Sequence, residues 1–156
     1  MKKISFILIF ILCFAVISPL TACSKEEKLV LNVYNCEEYI AEGEDFDMVT
    51  EFENYYYKKY NKKVTVNYST YGTNENMYNE LKLTKNKKNN TYSYDLVCPS
   101  DYMLLKMIKE DMLEEFDLNE DGSYKYIPEY ENNVSDYIKN LFQQNDWYRY
   151  GVCYMW

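Results

Sequence analysis

Aromatic and carboxylate side chains occur together in three short segments, at residues 35–39, 70–75 and 99–102. Tyrosine rings attract ammonium groups and pack against alkyl chains, while carboxylates hold charged ends. This combination favours an organic polycation as ligand. The alternative is that a chain with 19 tyrosines places some of them in any loop.

The composition excludes several other classes of protein. The net charge is −8, which argues against nucleic acid as a partner, since phosphate binding needs a basic surface. The absence of histidine from the sequence removes the usual general base and the commonest transition-metal ligand. The glycine-rich motifs of nucleotide-binding loops are also missing from the sequence. A binding protein remains, and we expect no enzyme, cofactor or metal site.

Strand and helix patterns alternate along residues 29–112. Alternating apolar residues predict strands near residues 29–34, 64–68 and 94–98. Helical spacing predicts helices after Asp45 or Asp47, after Thr73 or Asn74, and after Ser100. The third helix is expected to carry its apolar face as far as Met112. This alternation predicts an α/β fold with a mostly parallel sheet flanked by helices.

Ligands of such sheets bind beyond the carboxyl ends of the strands. The three segments that are rich in tyrosine and carboxylate each follow a predicted strand. We therefore expect them to meet at one edge and to form the binding site.

The N-terminal residues have the pattern of a targeting signal. Lys2 and Lys3 precede an apolar run that is shorter than a membrane-spanning helix. The run ends in Leu20-Thr21-Ala22-Cys23, which resembles a bacterial lipobox. We expect residues 1–22 to be a lipoprotein signal peptide, Cys23 to carry the lipid, and residues 23–27 to be a tether. The alternatives are an ordinary secretory peptide and an uncleaved signal anchor.

Three cysteines remain beyond these segments, namely Cys36, Cys98 and Cys153. Their spacing matches neither a disulfide framework nor a metal site, so at most one disulfide can form. They are best interpreted as small buried apolar residues.

Several stretches together resemble the spermidine/putrescine-binding proteins of ATP-binding-cassette (ABC) importers. They are Leu31-Asn32-Val33-Tyr34-Asn35, Glu38-Tyr39-Ile40, Thr70-Tyr71, Asn74-Glu75, Met77-Tyr78, Tyr94-Asp95-Leu96-Val97, Pro99-Ser100-Asp101-Tyr102, Met107-Ile108 and Tyr154-Met155-Trp156. The resemblance covers the whole mature chain in the order of the family. It implies a lipid-anchored extracytoplasmic receptor with two hinged lobes of the type II periplasmic-binding-protein kind, which delivers polyamine to membrane permease subunits.

The resemblance also implies ligand contacts. Tyr39 matches an aromatic residue that packs on the polyamine, Ser100 a hydroxyl contact, and Tyr102 a second aromatic wall. Cys36 stands where the family usually has tryptophan, which removes stacking area. Glu37 adds a carboxylate that could compensate for this loss with a cationic ligand.

The family is longer than this chain. We expect residues 28–156 to be the N-terminal part of the first lobe, with the second lobe absent and the chain a truncated or partial form. The alternative is a free-standing functional half-lobe.

Two further segments lie between residues 117 and 142. Residues 117–122 begin like a calcium-binding EF-hand loop, but Pro128 stands where the closing glutamate is needed, so a surface turn is expected. Residues 134–142 are expected to form a helix that packs Val134, Tyr137, Ile138 and Leu141.

Rival functions remain open. They are a receptor of the same fold for an iron complex, thiamine or a sugar, an enzyme using paired carboxylates such as Glu37 and Asp101, and a surface lipoprotein outside transport.

Overall fold

The computed structural model describes residues 28–85, 88 and 92–153. The expected signal peptide, the lipid site at Cys23 and the tether lie outside these residues, and so does the segment 154–156. In the part of the chain that the structure describes, no helix is long and apolar enough to span a bilayer.

The centre of the fold is a parallel sheet of three strands in the order β2-β1-β3. The strands are β1 (Leu29–Cys36), β2 (Val64–Tyr71) and β3 (Leu96–Val97). β1 pairs with β2 along its whole length, from Leu29 opposite Val64 to Cys36 opposite Tyr71. With helices flanking these strands, the α/β prediction is confirmed.

β3 is shorter than the predicted strand at residues 94–98. The Asp95 carboxylate accepts a hydrogen bond from the Asn32 amide at 2.7 Å, so a side chain takes the place of a strand carbonyl. At the other end, the Cys98 amide still donates to the Tyr34 carbonyl at 3.1 Å, but the Ser100 amide donates to the Asn74 side chain instead of continuing the ladder. Regular pairing is therefore confined to Leu96 and Val97.

Three helices alternate with the strands: α1 (Met48–Tyr60), α2 (Asn74–Thr84) and α3 (Asp101–Lys109). Between the two candidate caps for α1, the structure selects Asp47, which accepts a hydrogen bond from the Thr50 amide at 2.7 Å. For α2 it selects Thr73, whose hydroxyl accepts from the Asn76 amide at 3.2 Å. α3 ends before Met112, which is nonetheless buried.

The main core lies between one face of the sheet and helices α2 and α3. Met77 is fully buried and Met107 is 1% exposed. Tyr34 packs against them from β1 and stacks on Tyr94, with 4.4 Å between the ring centroids. This packing fixes α2 and α3 relative to the strand ends.

α1 is confirmed as a helix, but none of its residues is buried. Phe52 and Tyr60 are among its exposed aromatic side chains. A polar contact joins the helix to the sheet, because Glu53 accepts a hydrogen bond from the Val66 amide of β2 at 2.8 Å.

The last part of the described chain contains α4 (Tyr130–Asn133), α5 (Asp136–Gln144) and a 3₁₀ turn (Trp147–Arg149). The prediction for residues 134–142 is correct for the helix but wrong for part of its packing. Val134 is extended and lies before α5, and Tyr137 is 75% exposed. Phe142 is the buried residue of α5 and packs edge-on against Trp147.

Residues 117–122 belong to a tight turn. An isolated antiparallel bridge joins Leu118 to Tyr124. The Asp121 carboxylate accepts hydrogen bonds from the amide and hydroxyl of Ser123, at 3.0 and 2.6 Å. Oδ1 of Asp121, one of the oxygens that an EF-hand loop would offer to calcium, thus accepts hydrogen bonds within the turn.

Candidate functional site

The three loops rich in tyrosine and carboxylate meet at the carboxyl edge of the sheet. The amide of Glu37, after β1, donates to the Tyr71 carbonyl of β2 at 3.1 Å. The Tyr71 hydroxyl donates in turn to the Cys98 carbonyl, after β3, at 2.5 Å. The edge is therefore joined across all three strands, as the parallel topology requires.

Tyr71 lies at the centre of this edge and is only 4% exposed. Burial raises the pKa of its hydroxyl well above the ordinary value, and Cys36, Cys98, Tyr39 and Tyr102 add to the effect. Such additions need short distances between the groups. Three of the predicted site residues, Cys36, Tyr39 and Tyr102, therefore lie within electrostatic reach of one buried hydroxyl.

The loop after β1 presents Cys36 and Glu37. The Cys36 amide donates to the side-chain oxygen of Asn35 at 2.8 Å, and Asn35 is itself buried. The Cys36 side chain is half-buried and packs against the main core. It therefore offers the ligand far less surface than an indole at the end of this strand would.

The Glu37 carboxylate lies beside the loop after β2. Both of its oxygens are 3.9 Å from the position that a Cβ would occupy at Gly72. The next residue, Glu38, has a positive φ of 60° and turns the chain toward Tyr39, whose ring is 40% exposed. This part of the edge combines a carboxylate with an accessible tyrosine face.

Ser100 is held by Asn74, the first residue of α2. The Asn74 amide nitrogen donates to the Ser100 hydroxyl at 3.0 Å, and the Ser100 amide donates to the Asn74 side-chain oxygen at 3.0 Å. Ser100 occupies the N-cap position of α3, as predicted, but its side chain does not cap the helix. The hydroxyl instead accepts the hydrogen bond from Asn74 of α2.

Tyr102, in the first turn of α3, is 53% exposed. Its hydroxyl donates to Glu75 of α2 at 3.0 Å, and this hydrogen bond is the main reason why the pKa of Tyr102 is raised. In the sequence, Glu75 belongs to an acidic, tyrosine-containing segment and to the family-like stretch Asn74-Glu75, but neither pattern assigns it a role. Its pairing with Tyr102 joins residues 27 positions apart and depends on the sheet order.

The edge has an excess of negative charge. Glu37 and Glu38 lie in the loop after β1, and Glu75 and Asp101 lie in the first turns of α2 and α3. Among the described residues, the five ion pairs lie elsewhere and include none of these four carboxylates. Such an edge suits a cationic ligand.

Two of the three thiols in the described residues have a raised pKa. Cys36, Cys98 and Cys153 are free and half-buried. Burial raises the pKa of the Cys98 and Cys153 thiols, so these two are neutral at physiological pH. Their environment agrees with an interpretation as small apolar residues.

Comparison with known proteins supports the resemblance found in the sequence. The chain is 30% identical over 139 residues to the spermidine/putrescine-binding periplasmic proteins of Escherichia coli strain K12 and Salmonella typhimurium. The matched region is 88% of this chain and 33% of each relative, so the chain spans about a third of their length. No family model matches the chain. No solved structure matches it either.

Proposed function

We propose that this chain is the extracytoplasmic substrate-binding component of an ABC importer for polyamines such as spermidine and putrescine. In this proposal residues 1–22 are a lipoprotein signal peptide, Cys23 carries the lipid that anchors the protein to the outer face of the membrane, and residues 23–27 are a tether. Residues 28–156 form the N-terminal part of the first solute-binding lobe. Permease subunits in the membrane are the protein partners.

One observation carries the proposal. The residues expected from the family resemblance to contact polyamine, Tyr39, Ser100 and Tyr102, come from two different loops and lie at the same edge of the sheet. Cys36 and Glu37 lie at that edge as well. Residues that are distant in the sequence therefore share one edge, as a common role in ligand binding requires.

The chemistry of the edge suits a diamine or triamine. The exposed rings of Tyr39 and Tyr102 can pack along an alkyl chain, and a desolvated ammonium over such a ring gains roughly 0.5–2 kcal/mol. The Glu37 carboxylate lies beside Gly72 and has no hydrogen-bond partner among the described residues. It can therefore accept hydrogen bonds from an amino group of the ligand. Rings and carboxylates thereby recognise the two chemical parts of a polyamine.

This role is one of binding and needs no reacting group. The curated relatives are named as binding proteins, and the edge presents carboxylates and tyrosine rings, which are groups that bind a cation. A receptor of this kind works by enclosing its ligand between two lobes. The edge described here would supply one wall of that enclosure.

Within the same fold, the second candidate is a receptor for another small solute, such as an iron complex, thiamine or a sugar. The negative charge of the edge favours a cation over a neutral sugar. A surface lipoprotein outside transport would bind protein partners and show no response to small amines.

Calorimetric titration of the purified chain in mild detergent tests the proposal. Putrescine, spermidine and thiamine are the probes, and sodium chloride at matched ionic strength is the control for nonspecific screening. Saturable binding of a polyamine, with thiamine silent, is the expected result. Binding of thiamine alone would favour the second candidate. If a cooperatively folded sample binds none of the probes, the proposal that this chain has a small-molecule site is wrong.

A further inference from the structure

We propose that Asn74 and Glu75, two consecutive residues in the first turn of α2, are positioning residues that hold Ser100 and Tyr102 in place for the ligand. Neither has to touch the ligand in this role. The expected effect on ligand affinity rests on the function proposed above, whereas the effect on the free protein does not.

Asn74 holds the start of α3 through both halves of its amide group. The nitrogen donates to the Ser100 hydroxyl and the oxygen accepts from the Ser100 amide, each at 3.0 Å. An amide side chain can donate and accept in this way, whereas a carboxylate can only accept. The paired contacts define both the backbone position of Ser100 and the direction of its hydroxyl.

Glu75 holds the outer end of the neighbouring tyrosine. The Tyr102 ring is 53% exposed, so packing alone restrains it little. Its hydroxyl donates to the Glu75 carboxylate at 3.0 Å. The hydrogen bond at the tip of the ring restricts the two side-chain torsions that a tyrosine has.

α2 is a rigid support for these contacts. Thr73 caps the helix, and Met77 and Leu81 anchor it in the main core at 0% and 2% exposure. The first turn of a well-packed helix thus carries two residues, one of which holds the N-cap residue of α3 and the other a residue in the first turn of α3. Because these side chains are already ordered in the free protein, less conformational entropy is lost when the ligand binds.

Glu75 could alternatively act as a direct carboxylate contact to an amino group. The two roles predict different outcomes in a double-mutant cycle. If Glu75 acts through Tyr102, the combined variant Glu75→Ala with Tyr102→Phe should bind no more weakly than Tyr102→Phe alone, since alanine has no acceptor for the tyrosine hydroxyl. If Glu75 contacts the amine itself, the two losses should add.

The affinity test uses the full chain in mild detergent and calorimetric titration with spermidine. Asn74→Ala and Glu75→Ala are expected to weaken binding about tenfold, a change of about 1.4 kcal/mol. Asn79→Ala, exposed on the same helix, and Glu114→Ala, which removes an exposed carboxylate elsewhere, should leave affinity within about twofold. Unchanged affinity in Asn74→Ala, or additive losses in the cycle, would overturn the positioning role of the residue concerned.

Two measurements on the unliganded chain separate this role from the proposed function. Amide exchange by NMR should be faster at Ser100 in Asn74→Ala, and carbon labelling of the tyrosine rings should show a lower pKa of Tyr102 in Glu75→Ala. Both variants should keep the thermal midpoint of the Asn79→Ala control within a few degrees. If the wild type binds no polyamine, the proposed function fails, and these two measurements alone decide whether the side chains position Ser100 and Tyr102. Unchanged exchange and an unchanged pKa would then refute it.

Discussion

The buried hydroxyl of Tyr71, at the end of β2, donates a hydrogen bond to the carbonyl oxygen of Cys98 at 2.5 Å. β1 lies between the strands that carry these residues, so the tyrosine side chain spans a whole strand to reach its acceptor. One side chain thus connects the two outer loops of the candidate site and gives the edge its structure before any ligand binds.

Replacing Tyr71 by phenylalanine should therefore destabilise the fold. The ring would still fill its space, but the Cys98 carbonyl would lose its partner in a half-buried place, at a cost of about 1–3 kcal/mol. Urea unfolding measures the change in the free energy of unfolding. Tyr137→Phe is the matched control, because Tyr137 is 75% exposed and its loss should cost less than about 0.5 kcal/mol. Equal values for the two variants would contradict a structural role for the Tyr71 hydroxyl.

Cys36→Trp should bind spermidine more tightly than the wild type. The indole would restore stacking area at the end of β1, next to the accessible ring of Tyr39. Aromatic contacts of this kind contribute about 0.5–1.5 kcal/mol, so an improvement of about threefold to tenfold is expected by calorimetry. Cys36→Ser removes the thiol without adding a ring and should bring no gain. Unchanged affinity in Cys36→Trp would mean that the missing indole is irrelevant to this chain.

Glu37→Gln should weaken polyamine binding about tenfold, since hydrogen bonds to charged groups contribute about 1.5–3 kcal/mol. The loss should shrink at high salt, because ions screen an exposed carboxylate. Titrations at low and high ionic strength measure both effects. Glu114→Gln removes the same charge outside the three loops and serves as the control. If both variants lose affinity equally, overall charge and not the location of Glu37 determines binding.

The stability of α1 should depend on acid pH through Asp47. The pKa of this carboxyl is lowered by hydrogen bonds from the Thr50 hydroxyl and amide. A lowered folded-state pKa adds stability that is complete above the unfolded value of about 3.9 and is lost as pH falls through the folded value. Asp47→Asn should show a shallower fall of the thermal midpoint between pH 5 and pH 2.

Asp45→Asn is the matched control for this pH series, because Asp45 was the other candidate cap and the structure assigns the role to Asp47. Its midpoint should follow the wild-type curve. A wild-type pH dependence in Asp47→Asn would show that the cap does not contribute to acid sensitivity.

Much of the fold and part of the site could be predicted from the sequence, because local patterns encode them. Alternating apolar residues identified β1 and β2, and helical spacing with capping residues identified α1, α2 and α3. Parallel pairing then implied that the loops carrying Tyr39, Ser100 and Tyr102 would share one edge. Local periodicity could not show that α1 buries none of its residues or that Tyr137 faces solvent, since burial depends on which other elements pack nearby.

The sequence by itself determined the α/β order, the acidic and tyrosine-rich character of the loops, and the resemblance to polyamine-binding proteins. These follow from residue type and spacing alone. Only the tertiary structure decided that Asn74 binds Ser100, that Glu75 binds Tyr102, and that Tyr71 reaches Cys98. Each of these hydrogen bonds joins residues 26 or 27 positions apart, and such contacts exist only once the strand order and register bring the two loops together.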